Sequence, residues 1–292
     1  MDPSYRALPV PPEFLIGARI VRKGKTALAS SALLDSGWGR SVMGPGLAFE
    51  LGIRVPSGAS PDWARDYVFD RVGILSPIPG AKTLCSIGPV VIQVSADPRM
   101  GNQFIIGSDL LSLLRASFAY ERAVQVFNLV CPTRIAKGLK KGNAIAPRPI
   151  SMGTAIRFVR GSRRFKKWAE FDTGAGSTVI GEDIPDLLGF PRLTRLVRSI
   201  TRIAGRGTPA SVFRVPVDDI EFLDKSGRVV CRTGPIAVTT TTAFSPGSVR
   251  IGRDVMQALE IGFDLSSEAR FRCMGKSGCG TLRKFSRRWG TA

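Results

Sequence analysis

Histidine is absent from the 292 residues, and with it go Ser-His-Asp and Cys-His triads and the common zinc sites that use imidazole. Cysteine is scarce. The five residues, Cys85, Cys131, Cys231, Cys273 and Cys279, form an odd set without a Cys-x-x-Cys pair, so no disulfide framework is expected. Cys85 and Cys231 each stand shortly before a Gly-Pro and read as small core-facing strand residues. Long apolar runs are missing too: nothing approaches the ~20 residues of a membrane span, and the opening MDPSYRALPVPPEF lacks the basic and apolar regions of a secretory signal. The expectation is a soluble, cytoplasmic protein, or a fragment processed from a longer one, with no membrane partner, no metal and no cofactor.

Acidic residues are also in short supply. Lys and Arg number 42 against 23 Asp and Glu, a formal net charge of +19, and the excess is uneven. Residues 1–130 hold 13 basic against 10 acidic side chains, residues 131–292 hold 29 against 13. The basic residues cluster at RFVRGSRRFKK (157–167), at Arg192, Arg195, Arg198, Arg202 and Arg206, and at LRKFSRRW (282–289). Such a field attracts nucleic acid or another anionic partner through phosphate contacts and counterion release. No recognition motif of a nucleic-acid module accompanies it, so a solvated basic surface stands beside that reading.

What is present is a repeat. LLDSGWGRSVM (33–43) is answered by EFDTGAGSTVI (170–180), and Gly52 lies seventeen residues past Asp35 as Gly189 lies seventeen past Asp172. CSIGPVVI (85–92) is answered by CRTGPIAV (231–238), and IIGSDLL (105–111) by RIGRDVM (250–256). Phe118 follows Asp109 by nine residues, as Phe263 follows Asp254. Four matched blocks in one order indicate an internal duplication. Each copy opens with two short strands around a Lys-Gly or Gly-Ser turn, continues in short β-type runs, and shows helical spacing only after its Gly-x-Asp block. The division is residues 13–130 and 151–273 for the two lobes, 131–150 for a Pro-, Gly- and Lys-rich linker, and 274–292 for a basic tail.

A strand ending in Asp-[Ser/Thr]-Gly, a Gly-rich region, an apolar-Gly block and a short helix resemble the retropepsin-like aspartic proteases. FDTGAGSTVI carries the likeness best, with Ala175 after the glycine and Thr178 six residues past the Asp; Ser41 is its counterpart in the first copy. The resemblance implies an all-β fold of two tandem retropepsin-like β-barrel lobes, related by pseudo-twofold symmetry, with one short helix late in each. It also implies an aspartic endopeptidase acting on a polypeptide, with Asp35 and Asp172 as one dyad. Ser36, Gly37, Thr173 and Gly174 would support the active-site loops, the two hydroxyls bonding across the lobe interface. One chain supplies both halves, so a two-lobed monomer is expected; a homodimer using the second copy alone is the alternative.

Two positions depart from the family. Trp38 stands where the family has Ala or Ser, and either narrows a substrate subsite or marks a lobe kept for shape. Arg250 leaves only Ile251 as an apolar residue before Gly252. A flap is expected as a hairpin over 202–215 with Gly205 and Gly207 at its tip, an ordinary glycine turn being the simpler reading; the first-copy flap falls within 60–84, near Trp63 and Tyr67. Asp109 and Asp254 are expected to cap the helices that follow them. A catalytically degenerate lobe pair that binds an anionic partner is the competing function.

Overall fold

Two hairpins of one design open the two halves of the chain. In a computed structural model, which describes residues 12–75, 83–120, 125–129, 144, 145, 147, 149–190, 198–202, 209–241, 244–265, 270–273, 281–283 and 286–287, β1 (Leu15–Arg22) and β2 (Lys25–Leu34) pair across Lys23 and Gly24. Both turn residues have positive φ, 46° and 76°, as a two-residue hairpin turn requires. β2 first turns Ala27 and Ala29 inward, then Ala32 and Leu34. The switch from odd to even positions comes from a register shift in which Ile16 and Ala18 face Ala32 and Ala29, one extra residue on β2. That bulge sets the parity with which the strand delivers Asp35.

The first half continues as β3 (Val42–Met43), β4 (Ala64–Phe69), β5 (Arg71–Leu75), β6 (Thr83–Ile87), β7 (Val90–Ser95), β8 (Phe104–Ile106), β9 (Ser117–Tyr120) and β10 (Gln125–Asn128). The second half runs β11 (Ser151–Arg160), β12 (Arg163–Phe171), β13 (Val179–Ile180), β14 (Arg198–Arg202), β15 (Pro209–Val217), β16 (Asp219–Leu223), β17 (Val229–Arg232), β18 (Ile236–Thr241), β19 (Val249–Ile251) and β20 (Ile261–Asp264). It ends in β21 (Arg270–Cys273), β22 (Thr281–Arg283) and β23 (Ser286–Arg287).

Among the described residues the first sheet has the order β4-β7-β3-β8-β2-β1-β5-β6, and the second β14-β15-β18-β13-β19-β12-β11-β16-β17. Strand for strand the two orders are the same, apart from β14. The fold is therefore two tandem retropepsin-like lobes, each a curled β-sheet in which a strand after the Asp loop and a late strand thread together: β8 lies parallel to β2 and antiparallel to β3, as β19 does with β12 and β13. β14 and β15 form the hairpin expected over 202–215; its tip, with Gly205 and Gly207, lies outside the described residues. The first lobe has no counterpart of β14 among the described residues. Trp63, just before β4, and Tyr67, within it, instead pack partly buried against the core.

A third sheet, β10-β9-β20-β21-β22, takes strands from both halves. Phe118 of β9 faces Phe263 of β20 with ring centroids 5.2 Å apart, and Phe263 stacks on Phe171 at 5.4 Å, the last residue of β12. Full burial of such rings stabilises by ~1.5–3 kcal/mol each. The lobes thus share an apolar seam directly beneath the Asp loops.

Four short α-helices punctuate the described residues: α1 (Pro45–Glu50), α2 (Ser108–Leu113), α3 (Ile184–Leu187) and α4 (Arg253–Ala258). α2 and α4 are the expected late helices. α1 and α3 are additional, and they explain the seventeen-residue spacing: Gly52 and Gly189 follow them with φ of 73° and 85°, the left-handed position that ends a helix.

Three expectations need correction or refinement. Cys85 and Cys231 are buried strand residues, yet each is disulfide-bonded, because pairing depends on which thiols the fold brings together and not on their count. Part of the linker joins the first lobe, where Ile145 bridges to Val90. The stretch set apart as a basic tail contributes β22 to the interlobe sheet and β23 to the first two residues of β11. Among the described residues no helix is long and apolar enough to cross a membrane.

Candidate active site

β2 and β12 each end one residue before an Asp, and the late strand behind each loop fixes that residue: Asp35 N donates to Ile106 O and Asp172 N to Ile251 O, both at 3.0 Å. Each carboxylate then folds back on its own loop. Asp35 Oδ1 accepts from the Gly37 and Trp38 amides at 3.0 Å, and Asp172 Oδ1 from the Gly174 and Ala175 amides at 3.0 and 2.9 Å. Trp38 thus uses its backbone as Ala175 does, and its indole is half-buried.

The two loops meet face to face. Thr173 Oγ1 accepts from Ser36 N at 2.9 Å and donates to Leu34 O at 2.7 Å; Ser36 Oγ accepts from Thr173 N at 3.0 Å and donates to Phe171 O at 2.8 Å. All four partners are buried, so each bond replaces water on both loops. A Cβ on Gly37 would overlap the Asp172 carboxyl, and one on Gly174 would overlap that of Asp35. Glycine here is a steric requirement, since each carboxyl occupies the space a side chain on the opposite loop would need.

Asp35 and Asp172 are buried and hydrogen-bonded to each other. Burial foremost, then the charge of Asp172 and the bond to it, hold the Asp35 carboxyl well above the usual carboxylate range; Arg250 and the Gly37 amide act in the opposite sense. The donors differ between the two carboxyls. Asp172 accepts from two amides on Oδ1 and from Arg250 Nη1 on Oδ2 at 2.9 Å, whereas Asp35 accepts from two amides on one oxygen. Asp35 is the member held toward its protonated form.

Asp109 and Asp254 are not the caps of α2 and α4; Gly107 and Gly252 hold those positions without a side-chain bond. The carboxylates tie each helix to the Asp loop instead. Asp109 Oδ1 accepts from Ser41 N, Ser41 Oγ and Leu110 N at 2.8, 2.6 and 2.7 Å, and Asp254 Oδ1 from Thr178 N, Thr178 Oγ1 and Val255 N at 2.8, 2.8 and 2.7 Å. Ser41 and Thr178 complete the brace by accepting from Gly107 N and Gly252 N at 2.9 and 3.1 Å.

Two arginines at the site escaped the sequence reading. Arg253 is buried and donates from Nη1 to Thr173 O and Gly174 O at 2.8 and 3.1 Å, holding the second Asp loop from below. The signal was a cation beginning a helix whose Val255 and Met256 face the core. Arg250 was recognised only as a small departure from pattern; its guanidinium in fact reaches the Asp172 carboxyl.

No protein-family model matches the chain, and no curated protein sequence does. Among solved structures it is similar to conglutin gamma, described as a unique basic 7S globulin from lupine seeds, at 8% identity and a TM-score of 0.38, covering 87% of this chain and 92% of that one. It is also similar to the basic 7S globulin from soybean, at 9% identity and 0.35, with 91% and 94% covered. At such identities and scores the function has to be argued from the site.

Proposed function

We propose that the chain is an aspartic endopeptidase whose dyad is Asp35 and Asp172, one from each lobe. The observation that supports this reading is the hydrogen bond between two buried carboxyls on glycine loops that clasp each other through Ser36 and Thr173. Two carboxylates so close cannot both be ionised, and the proton they share divides their roles. Ionised Asp172 takes a proton from a water held between the pair as that water attacks the scissile carbonyl. Protonated Asp35 donates to the carbonyl oxygen, and the resulting diol collapses as the leaving nitrogen is protonated. The hairpin of β14 and β15 serves as the flap over a polypeptide substrate. The test is peptide cleavage from pH 3 to pH 7 by wild type, Asp35→Asn and Asp172→Asn. Each variant should lose at least ~10²-fold, the scale of acid-base catalysis; full activity in either rejects the single-chain dyad.

A second reading is a catalytically silent lobe pair that binds an anionic partner, nucleic acid included. It is favoured by the Arg250 ion pair, which occupies one dyad oxygen, and by exposed Arg163, Arg164 and Lys166 on the β11-β12 hairpin. Part of that basic run is engaged within the lobe: Arg157 pairs with Glu221, and Arg160 donates to Leu188 O at 2.8 Å. Silence of the wild type in every cleavage assay, together with heparin retention that falls steeply with salt, would select this reading.

A further inference from the structure

Arg250 and Ile105 occupy equivalent positions in the two lobes. Each is the middle residue of its late strand, between two buried neighbours, Phe104 and Ile106 in β8 and Val249 and Ile251 in β19, and each is itself half-buried on the opposite face. The backbone of the following residue receives the Asp35 amide in one lobe and the Asp172 amide in the other. They therefore stand on either side of the dyad, across the pseudo-twofold axis.

The two walls differ in chemistry. Ile105 presents an aliphatic surface. Arg250 presents a guanidinium whose Nη1 donates to Asp172 Oδ2 at 2.9 Å and whose carbon lies 5.2 Å from the centroid of the Phe244 ring. Its side chain is 31% exposed while that of Asp172 is 5% exposed, so the cation looks outward past the carboxylate it binds. Among the described residues its Nε and Nη2 have no hydrogen-bond partner. A planar guanidinium held on one side by a carboxylate and on the other by a ring is preorganised for a second carboxylate.

We infer that Arg250 is a specificity-determining residue that selects substrates with an acidic side chain on one side of the scissile bond and an apolar one, against Ile105, on the other. This rests on the endopeptidase reading and names the substrate class of that same site. An apolar residue at the Arg250 wall would desolvate the unsatisfied Nε and Nη2 donors, whereas Glu or Asp satisfies them. The chain's net charge of +19 favours the encounter with acidic peptides in the same direction.

The experiment uses quenched fluorescent peptides that carry Glu, Gln or Leu at the residue before the scissile bond, or at the residue after it, with Leu on the other side. The kcat/KM ratio of Glu to Gln is read within each enzyme, which cancels any change a variant makes to the dyad itself. Wild type should favour Glu over Gln about 10-fold or more at one of the two positions, Arg250→Lys should keep a reduced preference, and Arg250→Ile, which copies the first lobe, should lose it. Binding of the same peptides to Asp35→Asn and to the Asp35→Asn, Arg250→Ile double variant gives the comparison without turnover, so an inactive Arg250→Ile enzyme still decides the matter. Equal handling of Glu and Gln by wild type, or a preference that survives Arg250→Ile, overturns the inference and leaves the endopeptidase standing. Failure of wild type to cut any peptide in the series overturns the endopeptidase reading itself.

Discussion

The raised carboxyl of Asp35 ties the stability of the fold to pH. An unfolded Asp titrates near ~3.9, while native Asp35, raised by burial and by Asp172, keeps its proton to higher pH. Above pH ~4 the native state thus binds more protons than the unfolded chain, and the stabilisation present below that pH is lost as pH rises through the native value. Burial raises Asp109 and Asp254 in the same sense, against the hydrogen bonds each accepts. Asp224, brought down to about 2 chiefly by the Ser226 hydroxyl, and Asp97, lowered by Arg99, act oppositely, but only below pH ~4. The thermal midpoint should therefore fall between pH 4 and pH 7, and Asp35→Asn should flatten that fall without abolishing it. Differential scanning calorimetry across that range is the check, and an identical slope in the variant would contradict the placement of the proton on Asp35.

At the scale of elements, the two Asp loops are held by braces that are not themselves chemical. Asp254 gathers Thr178 N, Thr178 Oγ1 and Val255 N on one oxygen, and Asp109 does the same for the first lobe. Asp254→Ala leaves buried donors at the end of the second loop without an acceptor, each costing ~1–3 kcal/mol. Loss of at least ~2 kcal/mol in urea unfolding is expected, and peptide cleavage should drop even at temperatures where the variant stays folded. The braces show where sequence reading reaches its limit. The duplication and spacing of Asp109 and Asp254 were visible, but the acceptors and donors that meet there are 68 and 76 residues apart in the chain. A local motif suggests a helix cap; only the threading of β8 and β19 behind the loops brings Ser41 and Thr178 within reach.

For the whole molecule, the interlobe sheet decides whether there is one site or two halves. Phe263 packs on Phe118 of the first lobe and on Phe171 of its own, beside a cluster in which Phe14 meets Phe118 and Tyr120 edge-on at 5.1 and 5.4 Å. Phe263→Ala should cost ~3–5 kcal/mol as a large-to-small core change. It should also uncouple the lobes, so that unfolding followed by tryptophan fluorescence and by circular dichroism no longer coincides. A single coincident transition at unchanged midpoint would show that the seam does not hold the lobes together.

Period-two burial, the two hairpin turns, the late helices and the duplication follow from the sequence alone, because each depends on neighbours a few residues apart or on comparing one half of the chain with the other. The Asp-[Ser/Thr]-Gly loops were legible for the same reason, whereas the bonds between the Ser36 and Thr173 hydroxyls and the opposite loop join residues 137 positions apart and were expected only from the family resemblance. Arg250 was not legible. Its strand position is apolar in the other lobe, and nothing within several residues says that its guanidinium ends on Asp172, 78 positions earlier in the chain. What raises the Asp35 carboxyl, where the Arg250 guanidinium ends, and which cysteines are bonded all depend on distances between residues far apart in sequence. Electrostatics and covalent pairing act through space, so they were decided only by the tertiary structure.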